Sequence, residues 1–200
     1  MSASTQADGP GAALGLLCGM IAPRPDLPGL AAALREGADL GSVVDLAADH
    51  GVRPLLIRTL SAVGWERVPA ELRERLDTFR RDQLVHVLAT SEALGELTGR
   101  LAARGVDAVA FKGAALSAAL YRDLAAREFN DIDILVPVDR VEAASQVLTS
   151  LGYRISEEDE EVRRAFLAHQ RQFTFTRPGT PTIDLHWDFT AEHVPFPLSA

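Results

Sequence analysis

Phe111-Lys112-Gly113-Ala114 and, a helix length later, Asn130-Asp131-Ile132-Asp133-Ile134-Leu135-Val136 decide how this chain is read. In the second string Ile132, Ile134 and Val136 alternate with Asp131, Asp133 and Leu135, the period-two pattern of a strand. Both carboxylates then share one face, and the branched apolar residues share the other. Aspartates two apart on a strand lie ~6.5–7 Å apart at Cα. Their side chains can converge on divalent ions held about 3.5–4 Å from one another. Upstream, residues 106–111 read as a short strand running into a helix that begins near Gly113. Glycine at such a turn lets a phosphate approach the backbone, and the helix start offers free N–H groups and the positive end of a dipole. Lys112 adds a mobile positive charge at the same place. A phosphate cradle beside paired carboxylates is the equipment of phosphoryl or nucleotidyl transfer.

Near the C-terminus Ile183, Leu185 and Trp187 share one strand face, while Asp184, His186 and Asp188 share the other. A carboxylate between apolar neighbours on a half-buried strand is costly unless paired or metal-bound. Asp184 therefore reads as a third acid, and three such acids fit a two-metal site. Taken singly, each motif has a plainer reading. Asp-X-Asp on a strand is most often a solvent face, and Asp-Leu-His can be a surface strand carrying a histidine. Arg127, four residues before Asp131, reaches phosphates, braces the aspartates or is an ordinary loop arginine. His186 orients Asp184, touches substrate or is structural.

These residues carry a resemblance to a known family. Phe-Lys-Gly-Ala-Ala-Leu (111–116), Ala-Arg-Glu-Phe-Asn-Asp-Ile-Asp-Ile-Leu-Val (126–136), Leu-Gly-Tyr (151–153) and Ile-Asp-Leu-His-Trp (183–187) together resemble the uncharacterised nucleotidyltransferase family of the DNA polymerase β-like superfamily. Ala-Asp-His-Gly-Val-Arg-Pro-Leu-Leu (48–56) extends the likeness over most of the chain. The resemblance implies an α+β fold, a small mixed sheet backed by helices after a helical N-terminal region. It implies Asp131, Asp133 and Asp184 as catalytic metal ligands for Mg²⁺ or Mn²⁺, and Lys112, Gly113, Ala114 and Arg127 as nucleotide-binding residues. The expected substrate is an NTP, ATP first, with a small molecule, peptide or protein as acceptor. Serine or glycine usually follows the superfamily's glycine; here Ala114 supplies no hydroxyl, and Lys112 is expected to compensate electrostatically, the family's Lys-Gly variant. Two alternatives stay open: a catalytically inactive nucleotide-binding or interaction module, and a toxin–antitoxin type nucleotidyltransferase acting on protein or RNA.

The expected organisation is a helical region over 1–104 and a nucleotidyltransferase core over 105–200. Family members usually continue into a C-terminal helical region; if the chain ends naturally at Ala200, a partner or second copy is expected to complete the cleft, and if it does not, the missing region supplies the rest. A formal charge of −8 argues against an extended phosphate-tracking surface, which makes nucleic acid the less favoured acceptor. One cysteine, Cys18, excludes an internal disulfide and suits a reducing cytoplasm. It reads as a core residue of a first helix over 12–22, a run too short to span a bilayer and without a basic leader.

Pro54 and Pro69 read as helix starts. The second opens a long amphipathic helix with Leu72, Leu76, Phe79, Leu84, Val87, Leu88, Leu94, Leu97 and Leu101 as its stripe, closed by Gly105. His50 and His86 read as structural. After Pro137, Asp139 and Glu142 resemble a capping box for a helix closed by Gly152. The acidic run 157–161 reads as a solvated loop or helix start. Residues 170–176 and 182–187 read as a hairpin with its turn at Pro178-Gly179.

Overall fold

The computed structural model describes residues 10–156 and 159–188. Eight helices are described: α1 (Pro10–Ile21), α2 (Leu27–Arg35), α3 (Leu40–Asp49), α4 (Arg53–Val63), α5 (Ala70–Ala103), α6 (Gly113–Tyr121), α7 (Val141–Ser150) and α8 (Glu160–His169). Five strands, β1 (Val109–Ala110), β2 (Asp131–Leu135), β3 (Arg154–Ile155), β4 (Gln172–Thr176) and β5 (Thr182–His186), form one mixed sheet in the order β1-β2-β5-β4-β3. This is the α+β arrangement expected, with a helical N-terminal region.

The chain divides into two compact units, one running to Leu84 and including Ala125–Glu128, the other made of Val85–Leu124 and the chain from Phe129 onward. In the first, Asp26 and Asp39 open α2 and α3 by accepting the Gly29 and Ser42 backbone N–H groups. Such caps satisfy donors that a helix start leaves unpaired. Pro54 occupies the first turn of α4, where its missing N–H costs nothing. Leu17, Met20, Val43, Leu56, Leu60 and Leu76 form the centre of this unit's core. Fully burying a leucine contributes about 1.5–3 kcal/mol.

In the second unit the apolar face of the sheet carries Ile132, Ile134, Phe173, Phe175, Ile183 and Leu185, packed against Ala144, Val147 and Leu148 of α7 and Leu97 and Leu101 of α5. β2 pairs in parallel with β5, Asp133 opposite Asp184 and Leu135 opposite His186. The β4–β5 hairpin is antiparallel, and its turn is closed by the Thr180 N–H donating to the Arg177 carbonyl. Gly105 ends α5 in the left-handed region. Its N–H reaches the Ala102 carbonyl and the Val106 N–H reaches Leu101, the Schellman pattern.

Several expectations need correction. Cys18 is exposed, because α1 turns Ala13, Leu17 and Met20 inward and an all-apolar helix does not announce its face. Leu84 and Leu88 are exposed at 53% and 59%; at mid-helix the buried face of α5 runs through Gln83, Val87 and Thr90, so Val87 is buried as expected and polar residues take the places on either side of it. The first strand is only Val109–Ala110, since Val106 is spent on closing α5. No capping box forms at Asp139. A 3-10 turn (Val138–Arg140) precedes α7, whose start has no side-chain cap bond, and Glu142 bonds Gln146 instead. Residues 157 and 158 of the acidic run lie outside the described residues. Asp159 accepts the N–H groups of Glu161 and Val162 at the start of α8, a helix longer than the run itself.

Candidate active site

Strand alternation sends the even and odd residues of β2 to opposite faces. Ile132 and Ile134 enter the core, so Asp131 and Asp133 face the other way; on β5, Ile183 and Leu185 do the same for Asp184 and His186. Parallel in-register pairing sets Asp133 beside Asp184 on neighbouring strands, a spacing of roughly 4.8 Å. Asp133 is 4% exposed and His186 7%. Among the described residues, Asp133, Asp184 and His186 each offer one ligand atom, all within 4.8 Å of one another.

The bonds inside the cluster are specific. Lys112 Nζ lies 2.6 Å from Asp133 Oδ1, and His186 Nε2 lies 3.0 Å from the same oxygen. Asp184 is held from β4: Thr174 donates its hydroxyl to Oδ1 at 2.7 Å, and Gln172 its amide to Oδ2 at 3.3 Å. Gln172 and Thr174 alternate with the core residues Phe173 and Phe175, so they belong to the polar face for the same periodic reason. The imidazole of His186 also meets the Phe111 ring edge-on, with centroids 5.0 Å apart.

Electrostatics separates the two β2 acids. Burial, then the charges of Asp133 and Asp184, hold the Asp131 carboxyl above its ordinary value, against the pull of Lys112. Burial also pushes Asp133 upward, but its hydrogen bonds with His186 and Lys112, with the charges of those partners, outweigh it and leave that carboxyl below its ordinary value. Asp133 is therefore firmly ionised, while Asp131 is the acid that resists ionisation.

The turn before α6 takes the form expected. Lys112 is its N-cap residue in extended conformation with no side-chain cap bond, which leaves the first N–H groups of the helix unpaired by the cap. Gly113 follows at φ +48°, and a Cβ there would meet the Asp131 carbonyl at 3.3 Å and the Phe129 ring at 3.5 Å. Glycine is thus required both by conformation and by the close approach of the strand. Ala114 is buried behind it.

Lys112, Gly113, Ala114, Asp131, Asp133 and Asp184 all lie in the sheet-bearing unit. Arg127 belongs to Ala125–Glu128 of the helical unit, where its carbonyl accepts the Gln83 side-chain amide at 2.8 Å. Its Nη1 is buried with no hydrogen-bond partner among the described residues. Sequence reading gave no role to Thr174, to Gln172 or to the contact of His186 with Asp133. The alternation of β4 marked the first two as polar-face residues but not their register against Asp184.

The carboxylate oxygens and imidazole nitrogen of the cluster suit a hard or borderline divalent ion. Within the chain, Asp133 Oδ1 is already paired with the Lys112 ammonium. No helix among the described residues is long and apolar enough to cross a membrane. Compared with known sequence families, residues 36–199 match one described as an uncharacterised nucleotidyltransferase. No curated protein matches the chain.

Proposed function

Because the chain belongs to the uncharacterised nucleotidyltransferase family, we propose that it transfers a nucleoside monophosphate from a nucleoside triphosphate, ATP in the first instance, to an acceptor hydroxyl. The observation that carries the reading is the in-register facing of Asp133 and Asp184 on β2 and β5, with the Lys112 ammonium paired to Asp133. Asp131, Asp133 and Asp184 are the proposed ligands for Mg²⁺ or Mn²⁺. When bound, such an ion supplies neutralisation of triphosphate charge and a lowered pKa for an oxygen nucleophile.

The chain's own residues have distinct tasks in this reading. Asp133 is ionised at neutral pH and needs no proton loss before it binds a cation. The side chain of Lys112 is 54% exposed, so it is free to leave Asp133 and follow a phosphate oxygen once another cation arrives. The N–H groups at the start of α6 meet the same phosphates, and glycine at 113 keeps that approach open. Thr174 and Gln172 hold Asp184 in one orientation, as partners of ligands characteristically do. The net charge of −8 favours a small molecule, peptide or protein over nucleic acid as acceptor.

The test pairs transfer with binding. With α-phosphate-labelled ATP, Mg²⁺ and cell lysate as the source of acceptors, wild type is expected to release pyrophosphate and move label to an acceptor, and Asp133→Asn is expected not to. In calorimetry, Lys112→Ala weakens ATP·Mg²⁺ binding by about 1.5–3 kcal/mol, the value of one hydrogen bond to a charged group. ATP binding without label transfer identifies a non-catalytic nucleotide-binding module instead. Unchanged ATP affinity in Lys112→Ala removes the phosphates from the α6 turn.

A further inference from the structure

Three acids around one site would make an all-oxygen donor set, yet the tight cluster contains a nitrogen. The three groups with ligand atoms mutually within 4.8 Å are Asp133, Asp184 and His186. β5 brings this about: Asp184 and His186 are two apart, so they face the same side, and parallel pairing sets them beside Asp133 and Leu135. The His186 ring is buried and braced edge-on by Phe111. Its Nε2 stands 3.0 Å from Asp133 Oδ1. That is the length of a hydrogen bond, and it is also the separation of two adjacent ligands on an octahedral ion, about 3.0 Å for bonds of ~2.1 Å. Ligand atoms of His186 and Asp133 thus need little movement to share one ion.

Resting on the nucleotidyltransferase reading, we propose that His186 is itself a metal ligand, completing an Asp133–Asp184–His186 set that favours Mn²⁺ over Mg²⁺. Magnesium binds oxygen and keeps several waters, whereas an imidazole nitrogen suits transition-metal ions. Thr174 and Gln172 fix Asp184 from β4, and Phe111 fixes the ring, so both ends of the set are oriented before an ion enters.

Pulsed electron paramagnetic resonance with Mn²⁺ alone as the probe tests this on the unmutated chain. The expected result is nitrogen modulation that changes from the ¹⁴N to the ¹⁵N pattern when the protein is grown with ¹⁵N-histidine. In calorimetry, His186→Gln is expected to raise the Mn²⁺ dissociation constant roughly tenfold or more, while Mg²⁺ binding moves by less than about threefold, because glutamine offers only oxygen to either ion. Mn²⁺ binding that is lost in Asp133→Asn but shows no histidine coupling overturns the proposal and leaves the three-acid site standing. Absence of any Mn²⁺ binding overturns both.

Discussion

Glu128 is predicted to be a stability residue, and its loss has a size that the structure sets. Its Oε1 accepts the backbone N–H of Arg53 at 2.9 Å and Nε at 3.1 Å; its Oε2 accepts Nε at 3.2 Å and Nη2 at 2.5 Å. The first bond caps α4 from outside, where Val52 provides no side-chain cap. The others form a forked ion pair whose side chains are 30% and 16% exposed, and the Arg53 guanidinium also lies 3.8 Å from the centroid of the Phe79 ring. Removing one partner of a fully buried pair costs ~3–5 kcal/mol. Arg53 keeps some access to water, so Glu128→Ala is expected to cost about 2–3 kcal/mol, cap included. For a chain of this size that lowers Tm by roughly 4–12 °C. Glu128→Gln retains an acceptor for the Arg53 N–H but loses the charge, and should fall between wild type and Glu128→Ala. Urea unfolding followed by Trp65 fluorescence, in a Trp187→Phe background, reads the helical unit in which both partners lie. An Arg53→Met/Glu128→Ala cycle with no coupling, or a Glu128→Ala cost under ~0.5 kcal/mol, would refute the reasoning.

Two further outcomes follow from the site. Gly113→Ala places a side chain at φ +48° and 3.3 Å from the Asp131 carbonyl, so differential scanning calorimetry should show a loss of at least ~1–2 kcal/mol; an unchanged Tm would mean the turn relaxes freely. Asp131→Asn should raise the Tm of the metal-free protein at neutral pH. The carboxyl of Asp131 is held above its ordinary value by burial and by Asp133 and Asp184, so its ionised form weakens the fold once pH exceeds the unfolded value. The gain should shrink as pH falls through the carboxylate range and vanish well below about 4, where the acid is neutral in both states. Equal gains at pH 7 and pH 3 would refute that assignment.

What the sequence made legible is what a local period can express. Ile132 and Ile134 beside Asp131 and Asp133, and Ile183 and Leu185 beside Asp184 and His186, each declare a face within five residues. The glycine after Lys112 declared a helix start on the same local grounds, and the family likeness implied a small mixed sheet backed by helices. Register is not local. Nothing within 182–187 says that His186 will stand against Asp133, 53 residues away from it in the chain, rather than against Asp184. That depends on parallel pairing, which sets position 186 opposite Leu135. α5 failed for a related reason. A three-and-four spacing of leucines predicts a stripe, but the buried face keeps that spacing through Gln83, Val87 and Thr90, and Leu84 and Leu88 each sit one position past it.

Glu128 shows how a residue with no chemistry of its own enters a motif. It stands in the string 126–136 three residues before Asp131, and Arg53 stands in the string 48–56, with nothing in either segment to link them. In the fold they are one interaction spanning 75 residues. Arg53 opens α4, and Glu128 belongs to Ala125–Glu128, the short segment that joins the helical unit immediately before Phe129 and β2 begin. Gln83 holds the neighbouring Arg127 carbonyl, so this segment is fixed both through a side chain and through its backbone. Within the helical unit this segment is thus held at two points just before the chain leaves for β2, which carries Asp131, the first of the proposed metal ligands. In this chain the two strings are therefore joined by the Arg53–Glu128 interaction inside the helical unit, which gives residues 48–56 a structural task there.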